Sequence, residues 1–187
     1  MLFRSEGVAS EAASLAGTLG LGKLIYMYDD NKITIEGSTD IAFTEDVEAR
    51  FKAYGWQVLR VDSSEDLEAL EAAAKEARAD TEHPSLIIVR THIGFGSPKQ
   101  DSASCHGEPL GAEALRETKK NAGWEPEQCF VVPEEVKAYF ADKSEACAQA
   151  ETDWNELLKA YGQAYPELVG SSAAYPAPRR ISRSCVR

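Results

Sequence analysis

Residues 23–35 read KLIYMYDDNKITI, an apolar run that ends in two acids and an amide. The run is bounded by Gly22 and by acidic turn residues, a pattern typical of a buried β-strand. A polar amide directly after such a strand lies where open α/β sheets bind their ligands. Asn31 offers a side-chain oxygen and Ile33 a backbone carbonyl, both suited to Mg²⁺ or Ca²⁺ beside a phosphate. An Asp-Asp-Asn run is more often an ordinary solvated turn, so these residues alone leave both interpretations open.

The composition of the 187-residue chain is that of an ordinary globular protein, with 43% hydrophobic and 27% charged residues. The net charge of −11 argues against a nucleic-acid partner, because its phosphates would be repelled. No apolar run approaches the roughly 20 residues of a membrane-spanning helix, so we expect no membrane partner and a cytoplasmic location. The four cysteines show neither a C-x-x-C pair nor a zinc-ligand spacing, which predicts free thiols.

Apolar segments alternate with helical patterns over the first half of the chain. Strands are predicted over 23–29, 56–61 and 84–90, and helices over 6–19, 44–55 and 63–80. The third strand is apolar almost throughout, which predicts burial on both of its faces. The alternation, with short connections, predicts an α/β fold in which helices flank a mostly parallel sheet.

The second half of the chain has a different pattern. Residues 91–110 form a long glycine-bearing loop, and loops of this length are usually functional. Helices are predicted over 111–121, 134–150 and 151–164, with no strand after Val132. We therefore expect a leader over 1–5, an α/β domain over 6–132, a helical C-terminal extension over 133–168, and a disordered basic tail over 169–187.

Several short sequence motifs within residues 6–168 together match the pattern of one family. They are Ser10-Glu11-Ala12, Leu15-Ala16-Gly17-Thr18-Leu19, Asp29-Asp30-Asn31-Lys32-Ile33-Thr34-Ile35, Ala53-Tyr54-Gly55-Trp56, Ile93-Gly94-Phe95-Gly96-Ser97, His106-Gly107, Pro109-Leu110-Gly111, Gly123-Trp124, Val132-Pro133-Glu134-Glu135-Val136, Trp154-Asn155-Glu156 and Ala164-Tyr165-Pro166. On these motifs the chain resembles transketolase, specifically the part of it that binds thiamine diphosphate. The resemblance implies the thiamine diphosphate-binding fold.

The resemblance also assigns roles to five residues. Asn31 matches a metal ligand that lies against the cofactor diphosphate, and Ile33 matches the residue whose carbonyl completes the shell of Mg²⁺ (or Ca²⁺). Ile35 and Ile93 match apolar residues that pack beside the cofactor. His106 matches a catalytic histidine that contacts both the diphosphate and the substrate, as an imidazole donor can. His92, after the third strand, could reach the same pocket.

Two further expectations concern the start of the chain. The family's metal-binding Asp and the Gly after it would fall where this chain has Met1 and Leu2. We therefore expect weak binding of Mg²⁺ and thiamine diphosphate by this chain alone, and a piece of the diphosphate-binding domain cut at both ends. Glu6 and Glu11 match acids near the family's dimer interface, although acids in a first helical turn also complement the helix dipole while solvated.

The reaction that the resemblance implies is transfer of a two-carbon ketol group between ketose and aldose phosphates, in the pentose phosphate pathway or Calvin cycle. The cofactor performs the carbon chemistry, while the protein binds and orients it. The partners implied are sugar phosphates and, in the full-length family, a second identical subunit. Three alternatives remain open at this point: a non-catalytic partner that keeps the Ala-rich dimer helix, dihydroxyacetone synthase, and one half of a split transketolase.

Overall fold

The computed structural model describes residues 7–42 and 44–171. Its α-helices and strands, in chain order, are α1 (Gly7–Thr18), β1 (Ile25–Asp30), α2 (Val47–Ala53), β2 (Gln57–Val61), α3 (Leu67–Ala79), β3 (Ser85–Arg90), α4 (Ala112–Asn121), α5 (Glu134–Ala164) and α6 (Pro166–Ser171). The chain divides into two compact units, the first ending at Glu127 and the second beginning at Gln128. No helix of the described segments is both long and apolar enough to cross a membrane.

The sheet of the first unit is parallel, in the order β1-β3-β2. Ile25 of β1 and Gln57 of β2 both pair with Ser85, and Asp30 pairs with Arg90 at the far end of β1. Since β3 is central, it has neighbours on both edges. The predicted α/β fold with a mostly parallel sheet is confirmed.

Successive residues of β3 face opposite sides of the sheet and lie in two separate cores. Leu86 and Ile88 pack with Ala13, Ala16, Phe51 and Trp56, which come from α1, α2 and the entry to β2. Ile87 and Val89 pack with Val61, Ala73 and Ala77, the last two from α3. The predicted burial of this strand on both faces is therefore confirmed.

Aspartates set the starts of the second and third helices. Asp46 Oδ1 accepts from Ala49 N at 2.9 Å, and Asp66 Oδ1 accepts from Ala69 N at 2.9 Å, so each satisfies a backbone N–H that has no partner within its helix. The capped start predicted for this helix within Thr44-Glu45-Asp46 is confirmed, with Asp46 as the capping residue.

The second unit is helical, as predicted, but differs in its details. The two helices expected over 134–150 and 151–164 are one continuous helix, α5. The predicted junction holds no breaker, and hydrogen bonds from Gln149 to Asp153 and from Thr152 to the Ala148 carbonyl cross it. No residue of α5 is buried. Helix α6 extends to Ser171, so residues 169–171 are helical instead of disordered, and 172–187 and the leader 1–5 lie outside the described residues.

Candidate functional site

The carboxyl ends of β1 and β3 are joined by side chains. Arg90 Nη1 donates to the carbonyls of Asp30 at 2.9 Å and of Thr91 at 2.7 Å. The Thr91 hydroxyl donates to the carboxylate of Asp29. Asn31 and Thr91 follow the paired residues Asp30 and Arg90, so the segments that leave the two strands start side by side. This edge of a parallel sheet is the usual ligand-binding edge of α/β folds.

Asn31 begins a tight hairpin. Its Oδ1 accepts from Ile33 N at 2.9 Å, while Lys32 between them has a φ of 63°, in the left-handed region. Ile33 and Ser38 form an isolated antiparallel bridge, whose hydrogen bonds run from Thr34 N to Gly37 O at 2.6 Å and from Thr39 N to Lys32 O at 2.9 Å. Neither bond uses the Ile33 carbonyl. The amide oxygen of Asn31 and the carbonyl of Ile33 therefore belong to one hydrogen-bonded turn.

The carboxylates nearest in sequence already have cationic or hydroxyl partners. Asp30 is 5% exposed, and its carboxylate lies 2.8 Å from Lys32 Nζ. Burial, and then the charges of Asp30, Glu45 and Asp29, raise the pKa of Tyr28 above its ordinary value. The phenol of Tyr28 therefore stays neutral beside these carboxylates.

The donor set fits a hard cation in type but supplies few ligands. Mg²⁺ prefers six oxygens and commonly takes several from a phosphate ligand and from water, and both oxygens of this turn are neutral. Within the described part of the chain, no group of three or more His, Cys, Asp or Glu side chains could hold a metal. A cation at Asn31 and Ile33 would therefore depend on a diphosphate for most of its charge compensation.

Of the three remaining predicted contacts, Ile93 and His106 lie in the loop after β3, and Ile35 lies in the hairpin after β1. Ile93 is half-buried, and its carbonyl accepts from Asp101 N at 3.0 Å. His106 follows a 3₁₀ turn, Ala103–Cys105, and its side chain is exposed. Ile35 is 65% exposed. No hydrogen bond or ion pair among residues 7–42 and 44–171 joins His106 to Asn31 or Ile33.

The first helix carries the predicted interface acids. Glu11 is exposed and lines a shallow groove of 490 Å³ formed by Ser10, Ser14, Leu15, Thr18 and Tyr54. Glu6 lies outside the described residues. The groove contains both apolar and hydroxyl side chains, so it is an accessible surface of mixed polarity on α1.

Sequence reasoning missed several residues that shape this edge of the sheet. Arg90 and Asp29, which link the strand ends, carried no signal beyond their position next to a strand end. Asp101 was also missed; its Oδ2 lies 2.8 Å from Nδ1 of His92. Cys105 donates its thiol hydrogen to the Lys99 carbonyl at 3.0 Å.

These features define a class of protein: an α/β domain with a parallel sheet, in which a hydrogen-bonded turn with two neutral oxygen donors follows the carboxyl end of β1. The family model described as the thiamine diphosphate-binding domain of transketolase matches residues 4–175. The chain belongs to this family of transketolase domains, which confirms the resemblance read from the sequence.

Curated relatives agree with this assignment. The chain is 51% identical over 165 residues to a transketolase of Geobacillus stearothermophilus, covering 87% of this chain and 25% of the relative. It is 51% identical over 172 residues to a transketolase of Nostoc, covering 91% and 26%. The chain thus spans about a quarter of the length of the curated relatives it matches.

Solved structures agree as well. Transketolase from Pichia stipitis, in complex with sedoheptulose-7-phosphate, superposes with a TM-score of 0.81 at 48% identity, covering 88% of this chain and 24% of the other. Transketolase from Leishmania mexicana superposes with a TM-score of 0.81 at 41% identity, covering 87% and 24%. The sequence comparison and the structural comparison therefore agree on the fold and the family.

Proposed function

We propose that this chain contributes the diphosphate-binding part of a thiamine diphosphate-dependent transketolase site, in which a two-carbon ketol group passes between ketose and aldose phosphates. The family of the chain supports this proposal, and so do the sugar phosphates bound by the Pichia stipitis relatives. The observation that carries it is the turn in which Asn31 Oδ1 accepts from Ile33 N while the Ile33 carbonyl is left out of the hairpin bonds.

Each proposed role follows from the chemistry of the side chain. Asn31 and Ile33 would hold Mg²⁺ (or Ca²⁺) through one amide and one carbonyl oxygen. Ile35 and Ile93 would pack beside the cofactor and keep water from it. His106 would donate a hydrogen bond to the diphosphate or to a sugar hydroxyl. Bound thiamine diphosphate supplies the carbanion that accepts the ketol group.

The charge balance at this turn predicts weak binding by this chain alone. Both proposed metal ligands are neutral, while Asp30 already pairs with Lys32 and Asp29 accepts from Thr91. The metal would therefore bind together with the diphosphate, not before it. A carboxylate from another part of the complete site would strengthen the affinity for the metal.

The proposed assembly and setting follow the family. Two copies would meet through α1, with Glu11 and Glu6 as interface acids, and the groove beside Glu11 would lie at this contact. The reaction would serve the pentose phosphate pathway in the cytoplasm. Exposed Leu15 and Leu19 on and after the same helix support a buried role for this surface in the assembled protein.

Calorimetric titration of thiamine diphosphate into the chain, with Mg²⁺ and with a chelator, tests the proposal. We expect binding that requires the metal. Asn31→Ala removes a ligand and should weaken the metal-dependent binding by about tenfold, which is 1.4 kcal/mol, or more. Asn31→Asp keeps the acceptor for Ile33 N and adds a charge, so its metal-dependent binding should equal or exceed that of the parent chain.

Asn155→Ala is the matched control, because Asn155 is exposed on α5. It should bind like the parent chain. An affinity for thiamine diphosphate that is the same with and without the metal would contradict the proposal. Equal affinities of Asn31→Ala and Asn155→Ala would also contradict it, and either result would favour a non-catalytic partner.

A further inference from the structure

The start of the loop after β3 is fixed by four consecutive residues. Arg90 donates to the Asp30 carbonyl, and Thr91 donates to Asp29. His92 Nδ1 lies 2.8 Å from Asp101 Oδ2, and the Ile93 carbonyl accepts from Asp101 N at 3.0 Å. The first two contacts bind the strand ends to each other. The last two bind the loop back onto the strand end, and both meet at Asp101.

The chain from Asp101 to His106 is held by local hydrogen bonds. Cys105 N donates to Ser102 O at 3.1 Å, and His106 N donates to Ala103 O at 3.0 Å. The hydroxyls of Ser102 and Ser104 lie 2.7 Å apart. Since this segment is a compact turn, fixing Asp101 also restricts where the backbone of His106 can lie.

A second contact closes the loop from its other side. Cys105 Sγ donates to Lys99 O at 3.0 Å and lies against Gly94, where an added Cβ would be 2.5 Å from the sulfur. Asn121 Nδ2 at the end of α4 donates to Gly96 O at 2.8 Å. These contacts hold the middle of the loop. Within this loop of the described chain, the contact of His92 with Asp101 is the one that joins two side chains at the point where the chain leaves β3.

We propose that His92 and Asp101 are a positioning pair that holds the His106-bearing loop in place against the end of β3. The consequence for ligand binding rests on the proposed function, while the consequence for loop order does not. Neither residue needs to touch the ligand. Their action is on the position of His106 relative to the Asn31 turn, which starts at the adjacent end of β1.

Two features set this pair apart from an ordinary surface ion pair, which contributes little to stability. Asp101 has a φ of 58°, a left-handed conformation that persists where surrounding contacts enforce it. In addition, Asp101 makes two contacts with the residues that follow β3: its backbone N–H donates to Ile93 O, and its carboxylate lies against His92 Nδ1. The hydrogen bond from His92 lowers the pKa of Asp101, so its carboxylate remains ionised as the acceptor.

Hydrogen exchange in the full chain tests the pair directly. His92→Phe keeps a ring but removes the donor, and Asp101→Gly keeps the left-handed backbone but removes the carboxylate. In both variants we expect the amides of Cys105 and His106 to exchange about tenfold faster, while the amides of β3 keep their parent rates. His92→Asn places an amide N–H at the position of Nδ1 and should restore the parent rates.

The double variant His92→Phe/Asp101→Gly shows whether the two residues act as a coupled pair or independently of each other. If the residues act together, its exchange should match that of the single variants instead of multiplying their effects. Unchanged exchange at Cys105 and His106, or a His92→Asn variant no better than His92→Phe, would overturn the inference. A loss of protection in β3 equal to that in the loop would also overturn it, because the effect would then be global.

The ligand readout distinguishes this inference from the proposed function. With thiamine diphosphate and Mg²⁺ as probes, His92→Phe should bind about tenfold more weakly than the parent chain, as is usual for loss of a supporting contact, and His92→Asn should recover. If the parent chain binds no thiamine diphosphate, the proposed function fails while the exchange result still decides the positioning pair. If it binds but His92→Phe binds equally well, the positioning role fails alone.

Discussion

Single aspartates determine where several elements of this chain begin and end. Asp46 and Asp66 cap α2 and α3, and Asp80 shapes the turn that leads from α3 into β3. Asp80 Oδ1 accepts from the backbone N–H groups of Glu82 and His83, at 2.9 Å each. These backbone hydrogen bonds, and then the side chain of His83, lower the pKa of Asp80. The hydrogen bonds of this turn therefore depend on the ionised carboxylate of Asp80, and so on pH.

At the scale of this residue we predict an acid-dependent loss of stability. Because folding lowers the pKa of Asp80, the unfolded state binds the proton more readily. The stabilisation is complete above the ordinary aspartate pKa of about 3.9 and is lost as the pH falls through the lowered folded value. Asp80→Asn keeps an oxygen acceptor but cannot titrate, so its stability should fall less between about pH 5 and pH 2.

Urea unfolding across this pH range measures the difference. Asp142→Asn, an exposed substitution on α5, is the control and should follow the parent profile. Parallel profiles for the parent chain and Asp80→Asn would show that the turn does not depend on the charge.

At the scale of elements, close approach of backbones holds α1 in place. Ala13 and Ala16 are buried, and the Ala13 carbonyl accepts from Trp56 Nε1 at 2.8 Å. Gly17 lies so near the end of α2 that an added Cβ would be 1.8 Å from the Tyr54 carbonyl oxygen. The Ala-rich sequence of this helix thus allows a contact between backbones that larger side chains would prevent.

Gly17→Ala should therefore destabilise the chain, although alanine is the better helix former. Relief of the overlap requires α1 to move away from Tyr54, and overpacking of this kind costs about 1–3 kcal/mol. Gly7→Ala is the matched control in the same helix, because no atom of residues 7–42 and 44–171 lies within 4 Å of its added Cβ. It should change stability by less than about 1 kcal/mol, in the stabilising direction.

Denaturant unfolding of the parent chain and of the two variants measures both changes in the free energy of unfolding. A Gly17→Ala chain as stable as Gly7→Ala would mean that α1 can shift without loss, and that its contact with Tyr54 is not tight.

At the scale of the whole molecule, much apolar surface is left uncovered. Leu15 and Leu19 are 58% and 60% exposed, and Trp154 and Leu157 on α5 are 61% and 62% exposed. In the part of the chain that the structure describes, β1 pairs only with β3, so its other edge is open. Exposed apolar patches and open strand edges both favour association with other chains.

We predict that the isolated chain self-associates. Sedimentation velocity should show an average mass that rises with concentration over roughly the micromolar range. Leu15→Gln/Leu19→Gln should reduce this association if α1 is the contact surface. Leu67→Gln should not, because Leu67 is even more exposed (73%) but lies on α3. A monodisperse monomer that melts cooperatively would contradict the prediction.

The family and the fold class could be recognised before any coordinates. The apolar run from Leu86 to Val89 predicts a strand buried on both faces, and Leu86 is fully buried. The motif around Asn31 and Ile33 predicts neutral oxygen ligands after β1, and the model of the family matches the chain over residues 4–175. Local errors arose at the unbroken helix α5, where no breaker marks the expected junction, and at residues 169–171, which are helical.

The amino-acid sequence by itself determined the strands, the helices and the family, because side-chain periodicity and short motifs are local properties of a chain. Only the tertiary structure decided that β3 lies between β1 and β2, that Thr91 bonds Asp29, and that His92 pairs with Asp101. Strand order and side-chain partners depend on which surfaces meet after folding. Local sequence patterns do not reveal a contact between residues that are distant in the sequence or separated by a loop without periodicity.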